Sequence, residues 1–309
     1  MTHAGGELRR NPVNGRLAIV APGRAARPSD LGQLATRPAA ARACPFCPGN
    51  EALTPPEVDA IRPSGDADSP GWQVRVVPNK YPALIGMHEV IIHSPDHEAE
   101  LEDLGDGHLA QVLGVWQRRI ASLIAAGAAA ATLIVNRGVG AGASLEHPHA
   151  QLLGTPVVPT LLLEEQSQFK RHQDDTGLCI LCAEIEGAGD RTVIAGDVAA
   201  WVPAASRFPG ELWVAPSAHE ASFLAADTAA LARALRRVLS AVRAATAGAP
   251  LNLWVHTAPA MASGPFHWHI EIAPRTDGIA GLELGTDISL VSVDPVLAAT
   301  AYREALHGA

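Results

Sequence analysis

Glu89-Val-Ile-Ile-His-Ser-Pro-Asp-His-Glu-Ala99 returns later in the chain as Glu211-Leu-Trp-Val-Ala-Pro-Ser-Ala-His-Glu-Ala221, a shift from 89 to 211, or 122 positions. Glutamates align near both ends, and His97 falls on His219. After each copy comes a run whose apolar residues recur three and four apart, the spacing of an amphipathic helix. The first run carries Leu109, Leu113, Trp116, Ile120 and Leu123, and the second Leu231, Leu235, Val238 and Val242. Core packing is their expected job. Each run leads to an apolar strand, at 132–136 and 252–256, then to a loop of small residues and a spaced histidine pair, His147-Pro148-His149 and His267-Trp268-His269. From 147 to 267 is 120 positions, so the shift barely changes.

Upstream of each copy stands a Cys-x-x-Cys pair, Cys44/Cys47 and Cys179/Cys182, and these are the chain's 4 cysteines. The pattern predicts two copies of one α+β unit. Short β-branched segments bounded by Gly and Pro, including 73–77 and 90–93, fit antiparallel strands better than parallel crossovers. The polar stretch 164–177 lacks periodic apolar residues and is the expected joint, giving units at 1–167 and 168–309.

A length of 309 residues with 48% apolar composition is enough for two packed cores. A formal net charge of −9 argues against a nucleic-acid partner, whose phosphates call for clustered Lys and Arg. Apolar stretches such as 128–135 are far shorter than the roughly 20 residues of a membrane span, and residues 1–10 lack a signal-peptide core. The expectation is a soluble cytoplasmic protein without a membrane partner.

In such a chain, paired thiols serve as metal ligands more readily than as disulfides. Structural zinc takes four sulfur or nitrogen ligands, and each copy offers them in the same order. Cys44, Cys47, His97 and His147 form the first predicted site, and Cys179, Cys182, His219 and His267 the second. A lone aligned histidine would read as a hydrogen-bonded core residue; four ligand types repeating in order argue for two zinc ions per chain. With four protein ligands neither ion keeps an open position, so both are expected to hold the fold around the spaced histidines.

The alternation in 147–151 puts His147, His149 and Gln151 on one face of an extended segment. With His147 pinned by metal, His149 is presented as a free imidazole able to attack phosphorus once its other ring nitrogen is tied by a hydrogen bond. Gln151 offers amide donors to phosphoryl oxygens, and the small-residue loop 138–144 can bring backbone N–H groups to the same phosphate. The second copy has Glu271 where the first has Gln151, His256 for Asn136 and Gly264 for Ser144. A carboxylate facing a phosphate repels it, so the first copy is expected to carry the chemistry.

Arg10-Asn11-Pro12 with Gly15, Ala21-Pro22-Gly23-Arg24 running to Arg27-Pro28, Cys44-Pro45-Phe46-Cys47-Pro48-Gly49-Asn50, Pro78-Asn79-Lys80-Tyr81-Pro82, Ser94 to His97, Asn136 to Gly138 and His147 to Gln151 together resemble the galactose-1-phosphate uridylyltransferase family. That family is a branch of the histidine-triad superfamily, so the resemblance implies a tandem pair of histidine-triad-like units. It also implies a ping-pong reaction in which His149 takes a nucleoside monophosphate from a UDP-sugar and passes it to a hexose 1-phosphate. By the same matching, Asn136, Ser144 and Gln151 would hold phosphate and Asn79 would lie near the nucleoside. Arg24 and Arg27 would contact phosphate, and Glu283 in 281–286 would accept sugar hydroxyls. Arginines reaching in from a partner subunit imply a homodimer. Ser289 stands where well-studied members carry a glutamine, and the second Cys-x-x-Cys resembles two-zinc relatives that act on ADP-glucose and phosphate. An ADP-glucose phosphorylase using the same histidine is therefore the first alternative, and a non-catalytic nucleotide-binding zinc protein the second.

Overall fold

The computed structural model describes residues 6–22, 43–260 and 264–308. Two β-rich halves meet edge to edge in one sheet. The first half contributes β3 (Asp59–Ile61), β4 (Val74–Pro78), β5 (His88–Ile92), β6 (Ala130–Arg137) and β7 (His149–Thr155), after β1 (Glu7–Arg10) and β2 (Leu17–Val20) at the start of the chain. The second contributes β8 (Thr192–Ile194), β9 (Val198–Trp201), β10 (Leu212–Pro216), β11 (Leu251–His256) and β12 (His269–Pro274). Ten of these run in the order β3-β4-β5-β7-β6-β11-β12-β10-β9-β8, each half the mirror of the other in strand order about the β6–β11 seam. All neighbours are antiparallel. The register keeps the repeat's shift of 120: Val135 pairs with Ala150, and Val255 with Ile270.

Between β5 and β6 lies α1 (Asp106–Ala125), and between β10 and β11 lies α4 (Thr228–Ala245). The side chains expected to face the core do so: Leu109, Leu113, Trp116, Ile120 and Leu123 on α1, and Leu231, Leu235, Val238 and Val242 on α4, are buried in one cluster. They cover the sheet face carrying Leu133, Val135, Ala150 and Leu152 from the first half and Leu253, Val255, Ile270 and Ile272 from the second. Burying a Leu or Ile here contributes roughly 1.5–3 kcal/mol. α4 begins at Asp227, whose carboxylate accepts from the N–H groups of Ala229 (2.9 Å) and Ala230 (3.1 Å), satisfying two donors that the first turn leaves without partners.

The polar stretch expected as the joint is helical: α2 (Thr160–Thr176) buries Leu162, Glu165 and Phe169, one stripe spaced three and four apart. The boundary expected between 167 and 168 thus falls inside a helix, which packs with Trp201, Trp213 and Phe266 on the sheet face opposite α1 and α4. Next comes α3 (Ile180–Glu186), carrying Cys182. After β12 follow α5 (Gly281–Thr286), β13 (Ser289–Val291) and α6 (Pro295–His307). β13 runs parallel to β2 in a small β1-β2-β13 sheet, tying the chain's two ends together. No helix among the described residues is long and apolar enough to cross a membrane.

Candidate active site

Between Cys44 and Cys47 the backbone turns back on itself, with Cys47 N–H donating to the Cys44 carbonyl, and the Asn50 amide holding that same carbonyl at 2.8 Å. Into this turn come His97, from the loop after β5, and His147, just before β7. Cys44 Sγ and Cys47 Sγ each lie 3.7 Å from His147 Nδ1, and Cys47 Sγ lies 3.3 Å from His97 Nδ1. Zinc bound tetrahedrally at ordinary Zn–S and Zn–N lengths sets sulfur and nitrogen about 3.6 Å apart. The second copy repeats the arrangement: Cys179 Sγ and Cys182 Sγ stand 3.6 and 3.5 Å from His267 Nδ1, with His219 completing the group. In each group of four, the ligand atoms lie within 4.8 Å of one another.

The outer hydrogen bonds match as well. His147 Nε2 donates to the Ser94 carbonyl at 2.8 Å and His267 Nε2 to the Pro216 carbonyl at 3.0 Å, which turns each Nδ1 lone pair toward the thiols. Burial and the adjacent Cys44 push the Cys47 thiol up to about 11; burial and Cys179 push Cys182 up to about 12. Thiolates in such places require a cation, so the donor sets fit zinc.

His149 is held from two directions. Its Nδ1–H donates to the His147 carbonyl at 2.8 Å, and its ring meets the edge of Phe46, from between the two cysteines, at 5.2 Å between centroids. The Cys-x-x-Cys turn therefore touches the ring directly as well as through the backbone. Burial lowers the pKa of His149, the carbonyl bond opposing only in part, so the ring is neutral near pH 7. A neutral imidazole with Nδ1–H committed keeps its lone pair on Nε2, the atom that can attack phosphorus.

Around His149 the strands bring amides. Asn136 follows Val135, the partner of Ala150, and so lies on the strand beside His149. Gln151 is fixed by His88, a residue the sequence reading passed over. The Ala83 N–H donates to His88 Nδ1 (3.1 Å), so the ring hydrogen sits on Nε2 and is given to Gln151 Oε1 (3.0 Å). Gln151 thereby keeps its NH₂ hydrogens for another acceptor. Asn79 Nδ2 lies 3.2 Å from the same Nε2, and its Oδ1 accepts from Tyr81 N–H at 2.8 Å. Alternation along β5 was the available signal for His88, two positions before Val90, which pairs with Gln151. Replacing Gln151 by glutamate is expected to slow nucleotidyl labelling of His149 by at least ~10²-fold, because a carboxylate repels phosphoryl oxygens where an amide donates. Zinc content should stay unchanged. Rapid-quench labelling checks this, and a rate within a few-fold of wild type would remove Gln151 from the site.

The loop between β6 and β7 is tight. Gly138 and Gly142 take φ of 78° and 85°, and a Cβ at Gly138 would sit 3.1 Å from Pro250 Cβ. Ser144 is exposed in this loop. Glu283 lies apart on α5, where its carboxylate accepts the Ala280 N–H at 3.0 Å; no contact among the described residues joins it to His149. Arg24 and Arg27 lie outside the described residues.

In the second copy, His269 repeats the bond of His149, giving Nδ1–H to the His267 carbonyl at 3.1 Å, but its Nε2 faces Glu271 Oε1 at 3.4 Å. Glu271 does not face a phosphate-sized opening, as its place in the repeat suggested. It is fully buried, paired with Arg207 at 2.7 Å and close to His256 at 3.3 Å, while Glu165 of α2 approaches His256 at 3.0 Å. Burial opposes charge on Glu271, yet Arg207, His256 and His269 together hold its carboxyl well below the usual carboxylate range. Burial likewise disfavours charge on His269, but Glu271 and Glu165 outweigh it and its pKa rises. Glu165, His256, His269 and Glu271 could hold a metal ion by their spacing, with Arg207 competing for the same carboxylate. Either way, His269 lacks the free Nε2 that His149 keeps. Glu165 and Arg207 carry no local signal for this cluster, because the partners they meet in it, His256 and Glu271, lie 91 and 64 positions away.

Across the β6–β11 seam lies a cavity of about 390 Å³, lined by Asn136, Asn252, Trp254, Arg207 and Arg275 among others. It opens on the face that carries His149 and Gln151, since Asn136, Asn252 and Trp254 occupy that face by alternation.

Residues 77–159 match a family described as galactose-1-phosphate uridyl transferase, N-terminal domain. Over 96% of its length the chain is 30% identical to an ADP-glucose phosphorylase of Arabidopsis thaliana, covering 92% of that protein. It is 26% identical to a galactose-1-phosphate uridylyltransferase of Thermotoga maritima, over 96% of this chain and 98% of that one. The crystal structure of an Arabidopsis thaliana ADP-glucose phosphorylase with bound ADP-glucose superimposes with a TM-score of 0.87 at 30% identity, covering 97% of this chain and 99% of that one.

Proposed function

Because this chain belongs to the galactose-1-phosphate uridylyltransferase family and is a nucleotidyltransferase of that family, we propose that it moves AMP from an ADP-sugar to inorganic phosphate through His149. His149 Nε2 attacks the α-phosphorus, the bond from that phosphorus to the bridging oxygen breaks, and the sugar 1-phosphate leaves with the bond's electrons. A phosphate oxygen then attacks the same phosphorus, releasing ADP and returning the electron pair to Nε2. The observation that carries the reading is the bond from His149 Nδ1–H to the carbonyl of His147, itself in the Cys₂His₂ group, which leaves Nε2 without a partner among the described residues. Asn136, Gln151 and the loop at 138–144 with Ser144 would hold the transferred phosphate. Asn79 would meet the nucleoside, Arg24 and Arg27 would contact phosphate across a homodimer, and Glu283 would accept sugar hydroxyls. Zinc in both Cys₂His₂ groups would hold the turn beneath His149 and its counterpart. The setting expected is the cytoplasm.

The adenylyl choice rests on the likeness to an ADP-glucose phosphorylase over nearly the whole chain and on a complete Cys₂His₂ group in each half. Uridylyl transfer from a UDP-sugar to a hexose 1-phosphate is the second reading, favoured by the match of residues 77–159 and the Thermotoga maritima relative. With purified protein, ADP-glucose plus phosphate is expected to exceed UDP-glucose plus galactose 1-phosphate in kcat/KM by at least ~10-fold, a difference of about 1.4 kcal/mol in transition-state binding. The reverse order would establish the second reading instead.

A further inference from the structure

Asn252 belongs to the second half of the chain, yet its side chain reaches the first half's site. It has three partners: Nδ2 donates to Asn136 Oδ1 at 2.7 Å and to the Ala141 carbonyl at 2.8 Å, and Oδ1 accepts from Arg275 Nη1 at 2.9 Å. Two of these fix the direction of the amide by chemistry alone. A guanidinium can only donate, so the atom facing Arg275 must be oxygen, and a backbone carbonyl can only accept, so the atom facing Ala141 must be the NH₂ nitrogen. The remaining NH₂ hydrogen then meets Asn136, which must answer with its own oxygen.

The consequence falls on Asn136. With its carbonyl occupied, its NH₂ is the end left for a ligand; among the described residues it has no other partner. Asn136 stands on the strand beside His149 and lines the cavity at the seam. An amide in this orientation offers hydrogen to phosphoryl oxygens, while the flipped amide would present its own oxygen and repel them. The bond to Ala141 meanwhile holds the short turn Val139–Ala141, in the loop whose backbone N–H groups can meet the same phosphate. Asn252 lies directly across the seam from Asn136 in the sheet register, so the contact is built into the strand pairing.

We propose that Asn252 is a positioning residue for nucleotidyl transfer: anchored by Arg275, it sets the donor direction of Asn136 and the place of the 138–144 loop. The inference rests on transfer through His149 as read above, and it gives the second half of the chain a part in the first half's chemistry.

Asn252→Asp tests it with minimal change of shape. Aspartate keeps the contact to Arg275, now as an ion pair, but has no hydrogen for Asn136 or Ala141. Single-turnover labelling of His149 from ADP-glucose and from UDP-glucose is followed by rapid quench, with zinc content and Tm measured on the same preparations. Labelling is expected to slow ~10–100-fold, with the loss in kcat rather than KM. Because Asn252 acts partly through Asn136 and partly through Ala141, the combined loss in the Asn136→Ala/Asn252→Asp double variant should exceed the larger single loss but fall well short of the product of the two. If Asn252→Asp fails to fold, Arg275→Met, which frees the Asn252 amide to turn, should slow labelling several-fold in the same direction. Wild-type labelling in the tested single variant, or losses that multiply in the double, would overturn the positioning role alone. A wild-type protein that labels with neither nucleotide-sugar would overturn the transfer reading on which it rests.

Discussion

Replacing His149 by alanine is expected to lower nucleotidyl transfer by at least ~10⁴-fold, the scale of removing a covalent nucleophile, while leaving the fold and its metal content in place. The size follows from the surroundings. His147 is turned to the cysteines by the Ser94 carbonyl, and His88 is occupied by Ala83 and Gln151, so neither neighbouring ring can replace the missing Nε2. The stability cost should be small, because the substitution removes one hydrogen bond to the His147 carbonyl, about 1 kcal/mol, and some contact with Phe46. Steady-state rates and a thermal melt check both halves of the expectation. Residual activity above a few per cent would mean that another group receives the nucleotide.

The second large effect concerns the first Cys₂His₂ group. Cys47→Ser should release one of two zinc ions per chain, lower Tm by about 10 °C and cost at least ~10²-fold in transfer. Activity suffers because metal and nucleophile share two connections: His147 lies two residues from His149, and Phe46, between the ligand cysteines, packs on its ring. Cys182→Ser provides the contrast. It should also lose one ion and some stability, yet keep labelling of His149 within ~10-fold of wild type, because the second group sits beneath His269 rather than His149. Elemental analysis, thermal melts and labelling rates on the two variants separate the cases. Equal losses of labelling in both would mean that zinc serves only the global fold.

The repeat was legible because its two copies keep their spacing. Helix periodicity, alternation and the histidine ligands recur 120 to 122 positions apart, the Cys-x-x-Cys pairs recur in the same order at 135, and the paired registers Val135–Ala150 and Val255–Ile270 show the shift of 120. Both Cys₂His₂ groups were readable for the same reason. What escaped was long-range or disguised. The stripe on α2 was hidden because its middle member is a glutamate, Glu165, so a buried face read as a polar joint. The pairing of β13 with β2 joins segments at opposite ends of the chain, which local pattern cannot report. Glu271 was readable as a lost amide but not as half of an ion pair, since Arg207 meets it only after β10 and β12 come together. His88 and Asn252 look like ordinary strand residues until β7 and β6 are laid beside them.

Every role proposed above depends on a covalent bond between His149 and the α-phosphorus of a nucleotide-sugar. Its most direct measurement is mass spectrometry of the wild-type protein quenched in base after ADP-glucose is added without phosphate. One added AMP per chain, mapped to the peptide carrying His149, lost in acid and discharged as ADP on adding phosphate, is the expected result. An unmodified protein during turnover, or an adduct on any other residue, would exclude transfer through His149.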